Sequence, residues 1–152
     1  MIKQKLIIEQ LDKKLIKFGK ADEIVIPSKG WIYAIGTALR MSLRQLGNRM
    51  KITAQSVKEI ETREMNGSVS INVLKQVGKA LNMKFVYGYI PNKKTLSKMI
   101  EERAFQIAKE IVLRTSTSMK LEDQENLPER IDKAIKERAQ IIKDEMPKYL
   151  WD

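Results

Sequence analysis

The run of twenty residues from Ser42 to Glu61 constrains the fold of this chain more than any other segment. Ser42 and Thr53 each precede an amphipathic stretch, where a hydroxyl can accept hydrogen bonds from the free amides that start a helix. Because the two caps are so close in sequence, the segment predicts two short helices joined by a tight turn. Gly47 lies where the backbones must approach, since only a very small side chain leaves room for the second helix. The apolar residues recur every three to four positions and are expected on the faces that meet: Leu46, Met50, Ile52, Val57 and Ile60.

The second of these helices has a polar outer face, formed by Ala54, Gln55, Ser56, Lys58, Glu59 and Thr62. A short helix with polar residues at its start, supported by a preceding helix, is typical of proteins that insert a recognition helix into the major groove of DNA. The predicted base-contacting residues are Ala54, Gln55, Ser56 and Glu59. Gln55 is the strongest candidate, because its amide can pair with N6 and N7 of adenine. Ala54 could contact a thymine methyl group, and Glu59 could accept from cytosine N4 but would also repel phosphates.

The distribution of charge supports an anionic partner. The chain has a formal net charge of +10, and residues 31–90 carry 9 basic and 3 acidic groups, whereas residues 91–152 carry 13 and 12. A basic excess in the segment that contains the two helices would attract the phosphates of a duplex without regard to sequence. The residues predicted to contact phosphates are Ser42, Arg44, Arg49, Thr53, Lys58, Asn66 and Ser68.

The composition also limits the chemistry. The chain contains no cysteine and no histidine, which excludes disulfides, thiol nucleophiles, Cys/His zinc sites and imidazole bases. Paired carboxylates such as Glu101 and Glu102 occur only in stretches of balanced charge, so we expect a protein that is not an enzyme and that needs no cofactor or metal. The first residues lack the apolar core of a signal peptide, and no stretch approaches bilayer length. We therefore expect a cytoplasmic protein that does not bind membranes.

The rest of the chain predicts further helices. Residues 3–18 form a first amphipathic helix, residues 31–41 form a helix ahead of Ser42, and Ser70 caps a helix that follows the break at Asn66-Gly67. Two more helices are predicted from apolar residues at helical spacing, one between Leu96 and Ile111 and the other between Ile131 and Met146, with Pro128 in the first turn of the second. The polar run from Thr115 to Asn126 between them is expected to be a loop. We expect three segments: an N-terminal helix and linker at 1–30, a central domain at 31–91, and a C-terminal helical extension at 92–152.

Two runs of β-branched or aromatic residues, Ile24–Ile26 and Phe85–Ile90, predict one or two short strands. A single strand leaves backbone groups unpaired and needs a partner. The strand at Phe85–Tyr89 could pair with Ile24–Ile26 within the chain, or with the same strand of a second subunit across a two-fold axis. Near the C-terminus, Trp151 could either plug the core of the protein or contact a partner.

The segment from Ser42 to Leu81 resembles the helix-turn-helix of phage repressors, the XRE type, through Met50, Thr53 and the phrase from Val57 to Glu61. More narrowly, residues 5–152 are similar to the mobile mystery protein A family. The similarity rests on PSKGWIYAI from Pro27, NGSVSINVL from Asn66, KFVYGYIP from Lys84, TSTSMKLEDQ from Thr115 and the closing residues Leu150, Trp151 and Asp152.

This resemblance implies a mostly α fold, in which a phage-repressor-like helix-turn-helix bundle carries flanking N- and C-terminal helices. It also implies a bacterial DNA-binding protein of mobile elements, encoded beside a Fic-domain partner in an arrangement like that of toxin and antitoxin. The chain departs from the repressor pattern at three positions. Leu43 replaces a frequent phosphate-binding glutamine, Lys51 replaces the glycine of the turn, and Gly36 replaces a basic partner for Glu61.

Two functions follow as expectations. The first is a sequence-specific transcriptional regulator, a repressor of its own operon, that binds duplex DNA as a homodimer on a roughly palindromic site. The second is an antitoxin-type module that neutralises a Fic-domain protein, with DNA binding secondary.

Overall fold

The computed structural model describes the backbone of residues 2–120 and 128–152, and the side chains of residues 2–116 and 128–152. Within these ranges the protein is mostly helical, as the sequence predicts. The α-helices are α1 Ile2–Leu15, α2 Trp31–Ala38, α3 Leu43–Met50, α4 Ala54–Asn66, α5 Ile71–Ala80, α6 Leu96–Lys120 and α7 Pro128–Glu145. Two 3₁₀ helices span Ile16–Glu23 and Lys148–Trp151. The chain forms two compact units, here called the central unit (Ala21–Gly88) and the terminal unit (Met1–Lys20 with Tyr89–Asp152).

The central unit contains α2 to α5, and its helix starts are those that the sequence predicts. Ser42, Thr53 and Ser70 are N-caps, and each side-chain oxygen accepts a hydrogen bond from the backbone amide three residues later. Gly67 ends α4 in the left-handed conformation, with φ of 81°, which glycine adopts without steric cost. The four helices enclose a core made of Ile32, Leu46, Val57, Val77 and Leu81. Burial of these side chains stabilises the position of α4 against α2, α3 and α5.

The terminal unit is built on α6 and α7, which pack along each other. Ala104 and Ala108 are completely buried, and their small side chains allow close approach of the neighbouring helix. Their core is completed by Ile100, Ile107, Ile135, Ile142 and Leu150. Pro128 is the first residue of α7, as predicted, because its missing amide proton costs nothing in the first turn.

Helix α1 is joined to this unit by a carboxylate that caps another helix. Asp12 Oδ1 accepts a hydrogen bond from the Leu96 amide at 2.7 Å, and Asp12 Oδ2 accepts from the Ser97 amide at 3.2 Å. These are free amides at the start of α6, where a negative charge also interacts favourably with the helix dipole. Ile8 packs against the core from the same helix. The structure therefore groups residues 1–20 with the C-terminal helices, and the first segment expected from the sequence is divided between the two units.

The two predicted strands are absent from the residues that the structure describes. Ile24–Ile26 and Phe85–Ile90 have irregular structure, and they do not pair with each other. Their side chains are largely exposed, with Val86 61% and Tyr89 82% accessible to solvent. Local β propensity is present in both segments, but a strand forms only when a partner satisfies its backbone groups. Among the described residues of one chain, neither segment has that partner.

Of the two roles left open for Trp151, the C-terminal residues contradict the first, that of a plug in the core. The 3₁₀ turn Lys148–Trp151 directs Leu150 into the core, where it is 1% exposed, and leaves Trp151 57% exposed. Arg103 holds this end in place, because its Nε donates to the Leu150 carbonyl at 2.6 Å and its Nη2 donates to the Asp152 carbonyl. Leu150, one residue earlier, therefore occupies the core position that the sequence analysis offered to the tryptophan.

The first part of the predicted loop from Thr115 to Asn126 is helical. Helix α6 continues to Lys120, so the first residues of that segment are helical, and residues 121–126 lie outside the described ranges. None of the helices that the structure describes combines the length and the apolar character needed to cross a bilayer.

Candidate nucleic-acid interface

Helices α3 and α4 are joined by a turn of three residues, Lys51, Ile52 and Thr53. Lys51 ends α3 with φ of 60° and ψ of 40°, so it adopts the left-handed conformation at a cost of about 1 kcal/mol relative to glycine. The Ile52 amide donates to the Gly47 carbonyl at 2.9 Å. A Cβ atom on Gly47 would lie 2.7 Å from the Ile52 carbonyl oxygen. The close approach expected at Gly47 is therefore present, and its partner is the backbone of the turn.

Side chains fix the first turns of both helices. Ser42 Oγ accepts from the Gln45 amide at 3.0 Å, while Gln45 Oε1 accepts from the Ser42 amide at 2.8 Å. The sequence analysis missed Gln45, although a serine followed three residues later by glutamine is the signature of this reciprocal cap. Thr53 Oγ1 accepts from the Ser56 amide at 3.0 Å and donates to Ser56 Oγ at 2.9 Å. The Thr53 proton is thus already used, whereas the Ser42 and Ser56 hydroxyl protons have no acceptor among the residues described and can be donated to a ligand.

The four predicted base-contacting residues all lie in the first two turns of α4. Gln55 and Glu59 are exposed and four residues apart, so they project from the same face of the helix. In the part of the chain that the structure describes, neither side chain has a hydrogen-bond partner or an ion pair. Ala54 and Ser56 are half-buried at the two edges of this face. The polar groups of Gln55 and Glu59 are therefore the ones most accessible to a ligand.

The predicted phosphate ligands lie on two parts of the surface, one formed by α3 with the first half of α4 and the other at the end of α4. Arg44 and Arg49 are exposed on α3, and Arg49 Nη1 lies 3.4 Å from the Ala80 carbonyl at the end of α5. Lys58 is on α4, where its Nζ lies 3.9 Å from Glu61 Oε1. The ion pair is long and Lys58 is more than half exposed, so it restrains the lysine only weakly.

Asn66 and Ser68 lie at the other end of α4. Asn66 Oδ1 accepts from the Ser68 amide at 3.1 Å and from Ser68 Oγ at 2.5 Å. The two side chains therefore form a local turn around Gly67. Asn66 is about 18 Å along the helix axis from Ala54 at the usual rise per residue. These two residues belong to a separate part of the surface from the N-terminal face of α4.

Glu61 is the only acidic residue with a buried side chain among those the structure describes, and it is 9% exposed. Burial raises the pKa of its carboxyl above the ordinary value of 4.5, the charge of Lys58 lowers it, and the charge of Glu64 raises it further. The sequence analysis left Glu61 without a mate because Gly36 occupies the place of a basic partner. Lys58, on the same helix, provides a weak one.

The raised pKa of Glu61 predicts a pH dependence of stability. Between 4.5 and the raised value, the folded state holds a proton that the unfolded state has released, so the free energy of unfolding falls as the pH rises through this range. The contribution is complete below the unfolded pKa and is lost above the folded one. We expect Glu61→Gln to reduce this fall and to raise the urea midpoint at pH 7, with little change at pH 4. Glu59→Gln, which removes a carboxylate from the exposed face of α4, serves as the control. An equal pH dependence in wild type and Glu61→Gln would contradict this assignment.

Glu64 is a structural residue that the sequence analysis did not find. Its Oε1 accepts a hydrogen bond from the Ile32 amide at 2.8 Å. The N-cap of α2 is Gly30, which has no side chain to cap the helix, so a residue of α4 performs this task. The bond connects residues far apart in sequence, and no local pattern reveals it. Together with Glu61, Glu64 fixes the inner side of α4 while its outer face stays free.

Comparison of the chain with known protein families, with curated proteins and with solved structures finds no significant match.

Proposed function

We propose that this protein is a sequence-specific DNA-binding regulator of the repressor kind and that α3, the turn and α4 form its helix-turn-helix. The observation that carries the proposal is the exposed face of α4, where Gln55 and Glu59 have no partner within the described chain. Two further features support it. The Thr53 cap fixes the start of α4, and the segment 31–90 has an excess of six basic groups, which would attract phosphates.

In this proposal the N-terminal turns of α4 lie in the major groove. Gln55 pairs with adenine, Ala54 contacts a thymine methyl group, and Ser56 donates its free hydroxyl proton to a base or a phosphate. Glu59 accepts from cytosine N4, and it would reject sequences that place an acceptor opposite it. Arg44 and Lys58 contact phosphates, together with the amides at the start of α3.

A single α4 covers few base pairs, so we propose that the protein binds as a two-fold dimer. Its site would be roughly palindromic, with half-sites about 10 bp apart or a multiple of that distance. Of the two pairings that the sequence leaves open for Phe85–Tyr89, the one within the chain is not formed. Pairing with the same segment of a second copy would satisfy its backbone and cover Val86 and Tyr87.

The proposal predicts a specific effect of Gln55→Ala. We expect the variant to lose about tenfold in affinity for the preferred site, because a bidentate contact to adenine supplies about 1 to 3 kcal/mol of discrimination. Its affinity for unrelated duplex should stay unchanged. Gel shifts or fluorescence anisotropy with DNA from upstream of the gene, and with a scrambled duplex, measure both quantities.

The matched control is Gln10→Ala, which removes the same side chain from the exposed surface of α1. It should bind both duplexes like the wild type. If the wild-type protein does not distinguish the upstream duplex from the scrambled one, or if Gln55→Ala leaves the preference intact, the proposed role of α4 is wrong.

A second candidate function is an antitoxin-type module that binds and neutralises a Fic-domain protein. It is favoured by the large apolar side chains that the terminal unit leaves exposed, which include Phe105 and Trp151. The hydrogen bonds from Arg103 to the last residues hold Trp151 at the surface, which suits a contact with another protein. We expect Phe105→Ser with Trp151→Ser to lose binding, in calorimetry, to the Fic-domain protein that the resemblance implies as a partner, while DNA binding persists. Unchanged calorimetric affinity in that variant would refute the assignment to this surface, and absence of binding by the wild-type protein would refute the second role itself.

A further inference from the structure

The central unit contains a groove lined by cationic side chains, most of which are not among the predicted phosphate ligands. It lies between α4 and α5 and reaches the end of α3, with a volume of about 820 Å³. Its lining includes the apolar side chains of Ile60 and Val73. Four cationic residues line it, Arg49, Lys51, Arg63 and Lys79, against one carboxylate, that of Glu59. The sequence analysis named only the first of these cations, because the other three are distributed over the turn, α4 and α5.

The groove borders the exposed face of α4. Gln55, Glu59 and Arg63 follow one another at intervals of four residues, so they form a row that turns gradually around the helix toward the groove. Lys58 lies on the opposite flank of that row. A helix inserted into the major groove has a sugar-phosphate strand on each side. Lys58 would face one of these strands, and the cations of the groove would face the other.

The charges in the groove are not neutralised by the protein. Among the residues that the structure describes, Lys51, Arg63 and Lys79 take part in no ion pair. Arg49 donates one long hydrogen bond to a backbone carbonyl. Several like charges around one concave surface repel one another, so an anionic ligand that binds there gains from all of them.

The turn between α3 and α4 brings Lys51 to the groove. This residue has a left-handed backbone conformation, with φ of 60°, and its side chain is part of the groove lining. Lys51 therefore adds a cation at the end of the groove where α3 contributes Arg49.

We propose that this basic groove binds the sugar-phosphate backbone of one DNA strand and that Lys51, Arg63 and Lys79 contact its phosphates. The inference rests on the proposed function, and it adds a second set of phosphate ligands on the side of α4 opposite Lys58. Binding of this kind is independent of sequence, so it increases affinity for any duplex and fixes the orientation of α4 in the major groove.

The test is the salt dependence of duplex binding. Each phosphate contact contributes about 0.9 to the slope of log affinity against log salt concentration. We expect the double variant Arg63→Gln with Lys79→Gln to lower this slope by about 2. Its affinity should therefore fall about tenfold less than that of the wild type when salt increases from about 50 mM to about 200 mM. The loss should be the same for the preferred and for the scrambled duplex.

The control is Arg40→Gln with Lys84→Gln, which removes the same charges from exposed positions of the central unit outside the groove. Its slope should stay within about half a unit of the wild type. Amide shifts supply a second measurement that needs no variant. Scrambled duplex should perturb Val73 and Gln76, which belong to the α5 wall of the groove.

The outcomes separate this inference from the proposed function. If Gln55→Ala abolishes the sequence preference while the groove variant keeps the wild-type slope, or if Val73 and Gln76 do not shift, the groove does not bind DNA and α4 still does. If the groove variant and its control lower the slope equally, the effect is one of net charge, and the inference is overturned. If the wild-type protein binds no duplex, both proposals fail.

Discussion

Replacing Gly47 by alanine is expected to destabilise the central unit by about 2 to 3 kcal/mol, the cost of overpacking a rigid site. The new Cβ would lie 2.7 Å from the Ile52 carbonyl oxygen and 3.3 Å from two backbone atoms of Thr53. These atoms belong to the turn, so they cannot move aside as a flexible side chain could. Because the turn also orients α4, DNA binding should weaken together with the loss of stability. Urea unfolding followed by circular dichroism measures the first effect, and anisotropy with duplex measures the second.

Gly36→Ala is the matched control for this prediction. Gly36 is also a buried helical glycine, but a Cβ there would meet only the Met41 carbonyl oxygen, at 3.8 Å. Alanine should therefore stabilise α2 by about 0.5 to 1 kcal/mol through its higher helix propensity. Equal effects of the two substitutions would show that the contact between α3 and the turn does not restrict residue 47.

The sequence predicts those parts of the fold that local chemistry determines. Ser42, Thr53 and Ser70 each accept a hydrogen bond from an amide three residues away, so the start of a helix is encoded within a single turn. The apolar periodicity of α3 and α4 places the core residues Leu46 and Val57 correctly. For the same reason the sequence also predicts which face of α4 is exposed.

Interactions between distant residues could not be derived in this way. Asp12 caps α6, which begins 84 residues later in the sequence. Glu64 caps α2 through the Ile32 amide, which lies 32 residues earlier. A carboxylate on a charged helix has no local feature that reveals such a role. The sequence predicts strands that do not form among the described residues. The β propensity of Phe85–Tyr89 is a local property, whereas the partner that a strand requires is not encoded locally. The basic groove has no local signature, because its cations come from α3, the turn, α4 and α5.

The second large effect is expected at Gly30, the residue before α2. Its φ of 88° and ψ of 165° lie in a region that essentially only glycine adopts. A Cβ there would also lie 2.6 Å from Glu64 Oε1, the atom that accepts from the Ile32 amide. Gly30→Ala should therefore cost about 3 kcal/mol, which combines backbone strain with the loss of a capping hydrogen bond.

Two comparisons separate these causes. Gly67→Ala also forces alanine into positive φ, but nothing lies within 4 Å of a Cβ at that position, so it should cost only about 1 kcal/mol. Glu64→Ala removes both the cap and the obstructing carboxylate. In that background the further substitution Gly30→Ala should cost clearly less than it does in the wild type, because only the strain remains. Additive losses in this cycle, measured by urea unfolding, would show that Glu64 and Gly30 act independently and that a methyl group at residue 30 does not displace the carboxylate.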